Sequence, residues 1–363
     1  MRGARIGRVA AWAYTVPTDA PEADGTLRWD RTTLVVAEVE AGGRTGLGYT
    51  YGHAATRELI AQPLAGVLHG EDALATERLW RAMRVQLRNL GAQGIAAAAI
   101  AALDVALWDL KARLLEVPLA LLLGLARREV PIYGSGGFVN YPPERLREQL
   151  GGWVAEQGCR AVKMKIGGDP AAALARMRIA REAIGDADLM IDSNGACDRK
   201  AALVIAAGAA RLGVTWYEEP VSSDDLEGLR LLREHAPPPV EIAAGEYGWE
   251  VQHFRGLLEA GAVDVLQADA TRCMGYTGFL RAAALAEAHG VPISAHTAPA
   301  LHLPVCCAAP GLRHIEWFHD HVRIEAMLFD GAPAARDGVI RPDLSRPGHG
   351  LAFRRQDAAQ YEV

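Results

Sequence analysis

From residue 130 to residue 316 the sequence alternates regularly between two kinds of segment. Short apolar stretches rich in Val and Ile are typical of buried strands, and the longer Ala- and Leu-rich stretches between them are typical of helices. Eight strands with seven intervening helical segments predict a closed parallel barrel of the (β/α)7β type, a modified (β/α)8 or TIM barrel in the α/β class. The predicted strands are 130–134, 160–167, 189–194, 214–218, 240–244, 263–268, 292–296 and 311–316.

The residues before 130 follow another pattern. Stretches 6–14 and 33–40 alternate as strands do, whereas 17–30, rich in Pro, Asp, Gly and Thr, and 50–53 are predicted to be loops. Stretches 56–68, 72–87 and 94–115 have helical periodicity. Strands followed by helices predict a small α+β domain at 1–125, ahead of a barrel domain at 126–320. The final stretch, 321–363, is predicted to pack back against the first domain.

Ionisable residues stand at the carboxyl end of seven consecutive predicted barrel strands. That end is where barrel enzymes carry their active sites. One such residue could terminate any strand, but seven in succession, each after an apolar run, indicate an active site. The residues are Lys163 and Lys165, Asp192, Glu218, Glu246, Asp269, His296 and Glu316.

The two lysines lie two residues apart in one strand, so their side chains share a face. The chain has only four lysines, and arginine supplies all other fixed positive charge. Neighbouring charge and burial can lower the pKa of a lysine until it acts as a base, which they do not do for arginine. We expect Lys165 to be a base with its pKa depressed by Lys163, and Lys163 also to contact a substrate carboxylate. The alternative is that both lysines protect an edge strand from pairing.

Three carboxylates, Asp192, Glu218 and Glu246, follow three adjacent strands and would repel one another without a cation. Hard oxygen ligands without Cys or His select Mg²⁺, with Mn²⁺ as a substitute. The alternative is that one of the three points outward and pairs with an arginine. Glu219, next to Glu218, has the opposite orientation and is a weaker candidate.

A possible second base comes from the other side of the predicted barrel. Asp269 and His296 follow neighbouring strands, and an aspartate that accepts one imidazole N–H makes the other ring nitrogen more basic. His296 would then face Lys165 across the barrel mouth, although a lone histidine is often structural. Glu316 follows the eighth strand, and a protonated carboxyl group there would donate a hydrogen bond to a developing oxyanion.

Composition excludes several other functions. The formal net charge of −6 gives no electrostatic attraction to nucleic acid or to an anionic membrane, and no apolar run reaches the length that spans a membrane. The five cysteines are an odd number without metal-binding spacing, which is typical of a reducing compartment. We therefore expect a cytoplasmic protein with no nucleic-acid or membrane partner.

These motifs together resemble the enolase superfamily, specifically its mandelate racemase subgroup, over essentially the whole chain. Residues 101–111 are similar to the signature helix of the family's capping domain, although Glu116 stands where the family often has Gly. Lys163-Met164-Lys165 matches its Lys-x-Lys motif. The other correspondences are the metal ligands Asp192, Glu218 and Glu246, the dyad Asp269–His296, the electrophilic carboxyl Glu316, and further polar residues at Asn194 and Arg272.

The resemblance implies a reaction and a set of partners. A base removes the proton α to a substrate carboxylate, and Mg²⁺ stabilises the resulting enediolate. The expected partners are a small carboxylate substrate and further copies of the chain, in a homo-oligomer from dimer to octamer. Residues of the capping loops are implied to bind the distal part of the substrate. The polar set in these loops is Asp24, Arg28, Trp29, Asp30, Thr50, Tyr51 and His53. The candidates are Arg28, Trp29, Tyr51 and His53, together with His319 in the polar stretch 317–321.

The polar character of these loops suits hydroxyl groups, unless the residues are merely solvated. We therefore expect an acid-sugar dehydratase, a hydro-lyase that gives a 2-keto-3-deoxy sugar acid. The second choice is a cycloisomerase of a sugar lactone or anhydro acid, and the third is a racemase or epimerase of a hydroxy acid. Two other classes stay open: a Schiff-base aldolase, which would not need three acidic strand ends, and a non-catalytic binding protein on the same fold.

Overall fold

The first part of the chain is an antiparallel sheet covered by helices. The structure is a computed structural model that describes residues 4–363, so the first three residues of the expected capping domain lie outside it. Strands β1 (Ile6–Ala23), β2 (Arg28–Ala41) and β3 (Arg44–Tyr51) pair in that order. The helices that follow are α1 (Ala55–Leu59), α2 (Ala65–Leu68), α3 (Thr76–Gln86), α4 (Ile95–Leu114) and α5 (Leu119–Leu122), with a π-helical turn at Ile60–Leu64 and a 3₁₀ turn at Arg88–Leu90.

Most of the predicted loop at 17–30 is instead a long hairpin. Strand β1 runs on to Ala23 and β2 starts at Arg28, with Pro17 opposite Arg31 and Glu22 opposite Trp29. The prolines are tolerated because β1 is an edge strand, whose outward N–H groups need no partner. The loop prediction for this stretch is therefore wrong, and the hairpin reaches far enough to touch the barrel.

The helix predicted at 56–68 is also not continuous. Gln62 has extended backbone angles (φ −153°, ψ 122°) and divides the stretch, because the residue before a proline, here Pro63, disfavours helical angles. Strand β3 had not been predicted.

Helix α4 joins the sheet to the barrel. Gly46 and Gly48 of β3 let the helix approach closely, since a Cβ at either would lie 2.1 Å from a helix carbonyl oxygen. Asp104 accepts hydrogen bonds from the backbone N–H (2.9 Å) and hydroxyl (2.7 Å) of Thr277 in the barrel domain. Asp109 accepts from the backbone N–H of Leu47 and of His349, both at 2.9 Å. This predicted helix therefore fixes the sheet, the barrel and the C-terminal segment to one another.

The predicted barrel of eight parallel strands is confirmed. The strands pair in chain order, and the last pairs with the first to close the barrel. The strands are β4 (Val130–Gly136), β5 (Ala161–Lys165), β6 (Asp188–Asp192), β7 (Val214–Glu218), β8 (Glu241–Ala244), β9 (Val265–Ala268), β10 (Ile293–Ala295) and β11 (Leu312–Phe318). Between them lie α6 (Pro143–Ala155), α7 (Pro170–Ile184), α8 (Arg199–Arg211), α9 (Leu226–His235), α10 (Val251–Glu259), α11 (Gly275–Ala288) and α12 (Pro299–Ala308).

The C-terminal segment returns to the first sheet. Arg355 donates a hydrogen bond to Glu38 of β2 (2.8 Å), and the backbone N–H of Val363 donates to the carbonyl of Ala13 in β1 (3.0 Å). Across residues 4–363 we find no helix with the length and apolar character needed to cross a membrane. The elements of this segment are α13 (His319–Leu328), β12 (Phe329–Asp330), β13 (Val339–Ile340), β14 (Ala352–Phe353), α14 (Arg355–Ala358) and a 3₁₀ turn at Ala359–Tyr361.

Candidate active site

The ionisable strand ends meet at one mouth of the barrel. Register explains this, because Lys165 lies opposite Asp192 on the neighbouring strand, and Asp192 lies opposite Glu218 on the next. Below this layer the barrel interior is filled by apolar side chains, including Trp216 at its centre. The indole N–H of Trp216 donates a hydrogen bond to Glu218 Oε2 at 3.0 Å, which holds that carboxylate from beneath.

Asp192, Glu218 and Glu246 are buried and offer oxygens that all lie within 4.8 Å of one another. Oε2 of Glu246 is buried without a hydrogen-bond partner among the described residues. An unpaired buried carboxylate oxygen within an all-oxygen donor set suits a divalent cation that prefers hard ligands. These residues therefore fit Mg²⁺, as the sequence predicts.

Both lysines of the pair are buried against carboxylates. The ammonium of Lys163 lies 2.6 Å from Glu218 Oε1 and 2.8 Å from Glu316 Oε1, and that of Lys165 pairs with Asp192. Burial and the charge of Lys163 lower the pKa of Lys165, but Asp192 outweighs them and the pKa lies above its ordinary value. The expected depression of the Lys165 pKa is thus wrong, because the prediction included the neighbouring lysine but not the carboxylate opposite.

The structure also forms the predicted dyad. Nδ1 of His296 lies 2.8 Å from Asp269 Oδ2, while its Nε2 faces Glu246 Oε2 at 3.3 Å. Burial raises the pKa of Asp269, but the hydrogen bond and charge of His296 outweigh it, so the pKa lies below its usual range. The imidazole is therefore oriented by an ionised carboxylate and directs its second nitrogen at the carboxylate cluster.

Glu316 differs from its predicted state. Its Oε1 accepts from the Ser135 hydroxyl at 2.5 Å and pairs with Lys163, and its Oε2 accepts from the backbone N–H of Thr297 at 3.0 Å. Burial raises the pKa of this carboxyl, but the positive charges of Lys163 and His296 outweigh burial, so the net pKa lies below its ordinary value. The group is therefore ionised, and the predicted protonated donor is wrong, because the sequence does not show that Lys163 lies against this carboxyl.

A cavity of about 310 Å³ opens above these residues, between the hairpin and the barrel mouth. Lys165, Glu246, Asp269 and His296 line it, whereas Lys163 is buried beneath, between Glu218 and Glu316. The volume lies at the lower end of the range for small-ligand pockets.

Four of the predicted substrate-binding residues line this cavity: Trp29, Tyr51, Asn194 and Arg272. Three others lie outside its lining. Arg28 is exposed on β2, the Nδ1 of His53 accepts from the backbone N–H of Ala55 (3.1 Å), and His319 pairs with Asp19 (3.1 Å).

Sequence reasoning did not predict several residues of the lining as substrate contacts. Arg31 and Thr33 alternate along β2 with the predicted Trp29, so recognition of the long hairpin would have revealed them. Of the stretch 317–321, the structure places His321 in the cavity instead of His319. The residues not predicted are Leu27, Arg31, Thr32, Thr33, Gly52, Tyr247, Thr271, Thr297, Phe318 and His321.

Two buried carboxyl groups accept hydrogen bonds from side chains of β2 that line the cavity. Trp29 donates its indole N–H to Glu22 Oε2 at 2.7 Å, and Thr32 donates its hydroxyl to Asp320. Burial, reinforced by the negative charge of Asp320, raises the pKa of Glu22 to about 8. The hairpin side chains above the cavity therefore have fixed orientations.

The hairpin tip rests directly on the barrel loops. A Cβ added to Gly25 would lie 2.3 Å from the carbonyl oxygen of Ser193 and 2.9 Å from that of Ile166. Gly25→Ala should therefore lift the tip from the cavity and lower kcat/KM by about 10- to 100-fold with little change in the melting temperature, as measured by steady-state kinetics and calorimetry. Gly7→Ala, in β1 with open space around it, is the control. Wild-type kinetics for Gly25→Ala would show that the tip does not need this contact.

Family comparison agrees with the geometry of the site. Residues 14–124 match the model of the mandelate racemase / muconate lactonizing enzyme N-terminal domain, and residues 145–358 match that of the enolase C-terminal domain-like family. The chain belongs to the mandelate racemase subgroup of the enolase superfamily.

Relatives within the superfamily carry out two related reactions. The chain is 33% identical to 3,6-anhydro-alpha-L-galactonate cycloisomerase of Streptomyces coelicolor, over 96% of this chain and 97% of the relative. It is 34% identical to D-galactarolactone cycloisomerase of Agrobacterium fabrum, over 95% of each. It is 30% identical to L-talarate/galactarate dehydratase of Salmonella typhimurium, over 99% of this chain and 91% of the relative.

Solved structures of the subgroup have the same fold. A mandelate racemase/muconate lactonizing enzyme-like protein from Rubrobacter xylanophilus is 52% identical, with a TM-score of 0.96 over 99% of this chain and 100% of the other. A racemase from Streptomyces coelicolor, solved with bound magnesium, is 31% identical, with a TM-score of 0.93 over 99% and 100%. This chain is therefore an enzyme of a superfamily whose members include acid-sugar dehydratases and cycloisomerases.

Proposed function

We propose that this enzyme catalyses a Mg²⁺-dependent β-elimination on an acid sugar, as a dehydratase that yields a 2-keto-3-deoxy sugar acid. The observation that carries the proposal is that Lys165 and His296 reach the same cavity from well-separated strands. Strands β11 and β4 lie between them on one side of the barrel, and β6 to β9 lie between them on the other. One residue can therefore take the α-proton while the other protonates the departing β-oxygen.

Asp192, Glu218 and Glu246 would hold the Mg²⁺, with Mn²⁺ as a substitute. When bound there, the ion supplies positive charge that neutralises a substrate carboxylate and makes its α-proton more acidic, as is general in this superfamily. Lys163 holds the carboxylates of Glu218 and Glu316 in place by its ion pairs of 2.6 and 2.8 Å.

We assign the proton transfers to the two side chains that line the cavity. Lys165 would remove the α-proton once its ammonium competes with Mg²⁺ for Asp192, because the loss of that ion pair lowers the pKa of the lysine. His296, oriented by Asp269, then protonates the leaving hydroxyl group. Trp29, Tyr51, Asn194 and Arg272 contact the remainder of the substrate. The buried oxygen Oδ1 of Asn194 and the buried hydroxyl of Tyr51 have no partner among the described residues, which suits contact with a polyhydroxy ligand.

A second candidate is a cycloisomerase, which shares the α-proton abstraction but expels a ring oxygen that stays attached to the product. Two of the relatives, at 33% and 34% identity, have this activity. We rank dehydration first because the cavity lining includes the unpartnered Tyr51 hydroxyl and Asn194 Oδ1, which would pair with free hydroxyl groups of the substrate.

A screen of acid sugars and their lactones with Mg²⁺ tests the proposal. We expect a 2-keto product whose mass is lower than that of the substrate by one water. A keto product of unchanged mass would identify the cycloisomerase instead. Absence of both turnover and α-hydrogen exchange in D₂O would favour a binding protein, and trapping of a lysine adduct by borohydride would indicate an aldolase. Enzyme treated with EDTA is the control.

Three further expectations stay predictions. The domain division at residues 125 and 320 can be tested by limited proteolysis. The dimer-to-octamer assembly can be measured by light scattering. Cytoplasmic location can be measured by fractionation of the cells.

A further inference from the structure

His321 is a cavity residue outside the set proposed to bind the metal or transfer protons. It lies in the first turn of α13, with its ring stacked on that of Tyr51 at 3.5 Å between centroids and 11° between planes. The edge of Phe318 packs against it at 5.1 Å and 84°. The 9% of its surface that stays exposed faces the cavity, so the ring is fixed in place but not fully covered.

One hydrogen bond determines the tautomer of this ring. The backbone N–H of Ala298, two residues beyond His296, lies 3.3 Å from Nδ1 of His321. A backbone N–H can only donate, so Nδ1 must hold a lone pair and the proton of the neutral ring must be on Nε2.

The ring is also neutral at ordinary pH. Burial, reinforced by the positive charges of His296 and Arg272, lowers the pKa of His321 to about 3, although Asp269 and Glu316 oppose the shift. No carboxylate of residues 4–363 lies within ion-pair distance of the ring, and no protein atom in that part of the chain pairs with its Nε2. His321 therefore has one free N–H and none of the features that make His296 a base.

We infer that His321 is a substrate-binding residue, whose Nε2–H donates a hydrogen bond to an oxygen of the bound acid sugar on the His296 side of the cavity. The inference rests on the proposed function for the class of substrate. A neutral N–H donates to a hydroxyl, carbonyl or ring oxygen, but it cannot donate to an ammonium group, which has no lone pair. The residue thus favours a hydroxy acid over the corresponding amino sugar acid at this position.

The tautomer can be measured without a substrate. In enzyme labelled with ¹⁵N-histidine, long-range ¹H–¹⁵N spectra distinguish the two neutral tautomers and the imidazolium. We expect a neutral Nε2–H signal that is absent from His321→Phe and that shifts when L-lyxarohydroxamate and Mg²⁺ are added. An Nδ1–H tautomer or an imidazolium would overturn the inference.

Kinetics on an acid sugar from the screen test the contact itself. His321→Phe keeps a ring under Tyr51 but removes the donor, and should lower kcat/KM by about tenfold, mainly through KM. His321→Gln, with an amide N–H near the position of Nε2, should recover part of the loss. His235→Gln, exposed at the end of α9, is the control.

The outcomes separate the two proposals. Wild-type KM in His321→Phe would overturn the assignment of His321 while leaving the proposed reaction intact. Absence of both turnover and a shift with the hydroxamate would overturn the acid-sugar proposal and, with it, this inference.

Discussion

Glu246→Gln is expected to abolish Mg²⁺-dependent activity while leaving the fold intact. The substitution keeps the size of the side chain, and Oε1 can still accept from Arg272, which lies at 3.2 Å. It replaces one of three carboxylates that the structure holds within 4.8 Å of one another, so the site loses a full negative charge. Since hard divalent ions depend on carboxylate charge for their affinity, the loss should exceed what a change in volume could cause.

Two measurements test this expectation. Binding of Mn²⁺, followed by electron paramagnetic resonance, should weaken in parallel with the loss of activity. Glu241→Gln is the matched control, because Glu241 lies at the opposite end of the same strand and pairs with Arg313. Full activity of Glu246→Gln, or of the wild type in excess EDTA, would remove the metal from the mechanism.

Lys165→Ala and His296→Asn should each lower kcat by several orders of magnitude, at the upper end of the range of about 10²- to 10⁴-fold for a positioned acid or base. Lys165 and His296 both line the cavity, and each is held by an aspartate, Asp192 and Asp269 respectively. Asparagine at 296 can still donate an N–H to Asp269, so the local structure should persist without the proton transfer.

Binding and turnover should separate in these variants. Calorimetric titration with the substrate should give dissociation constants near that of the wild type, since neither side chain supplies most of the contacts of the cavity. Lys200→Ala, at an exposed lysine of α8, is the control. Near wild-type turnover of His296→Asn would show that the dyad is structural.

The strand ends could be predicted because each ionisable residue follows a short apolar run, a pattern carried by neighbouring residues. The pKa values of Lys165 and Glu316 could not be predicted in this way. They depend on contacts across the barrel, such as that between Lys163 and Glu316, which lie 2.8 Å apart although they are distant in sequence. Local patterns thus identified the groups that meet at the barrel mouth but not their charge states.

The substrate side of the site was predicted less well, for a related reason. Prolines and small polar residues at 17–30 are typical of loops, and only the pairing of β1 with β2 makes them a hairpin. His321 has no distinctive sequence context, and its role depends on a hydrogen bond from Ala298. Residues that acquire a function through one tertiary contact leave little signal in the sequence.

The hairpin above the cavity has a consequence for how this protein can diversify. Asp24, Leu27, Trp29 and Arg31 come from one short segment of the hairpin, whereas the proposed metal ligands and bases follow buried strands of the barrel. Exchange of that segment would alter the substrate-facing side of the cavity without disturbing the residues to which we assign proton transfer. Substrate preference can therefore change through a few substitutions in the hairpin while the strand-end residues stay the same.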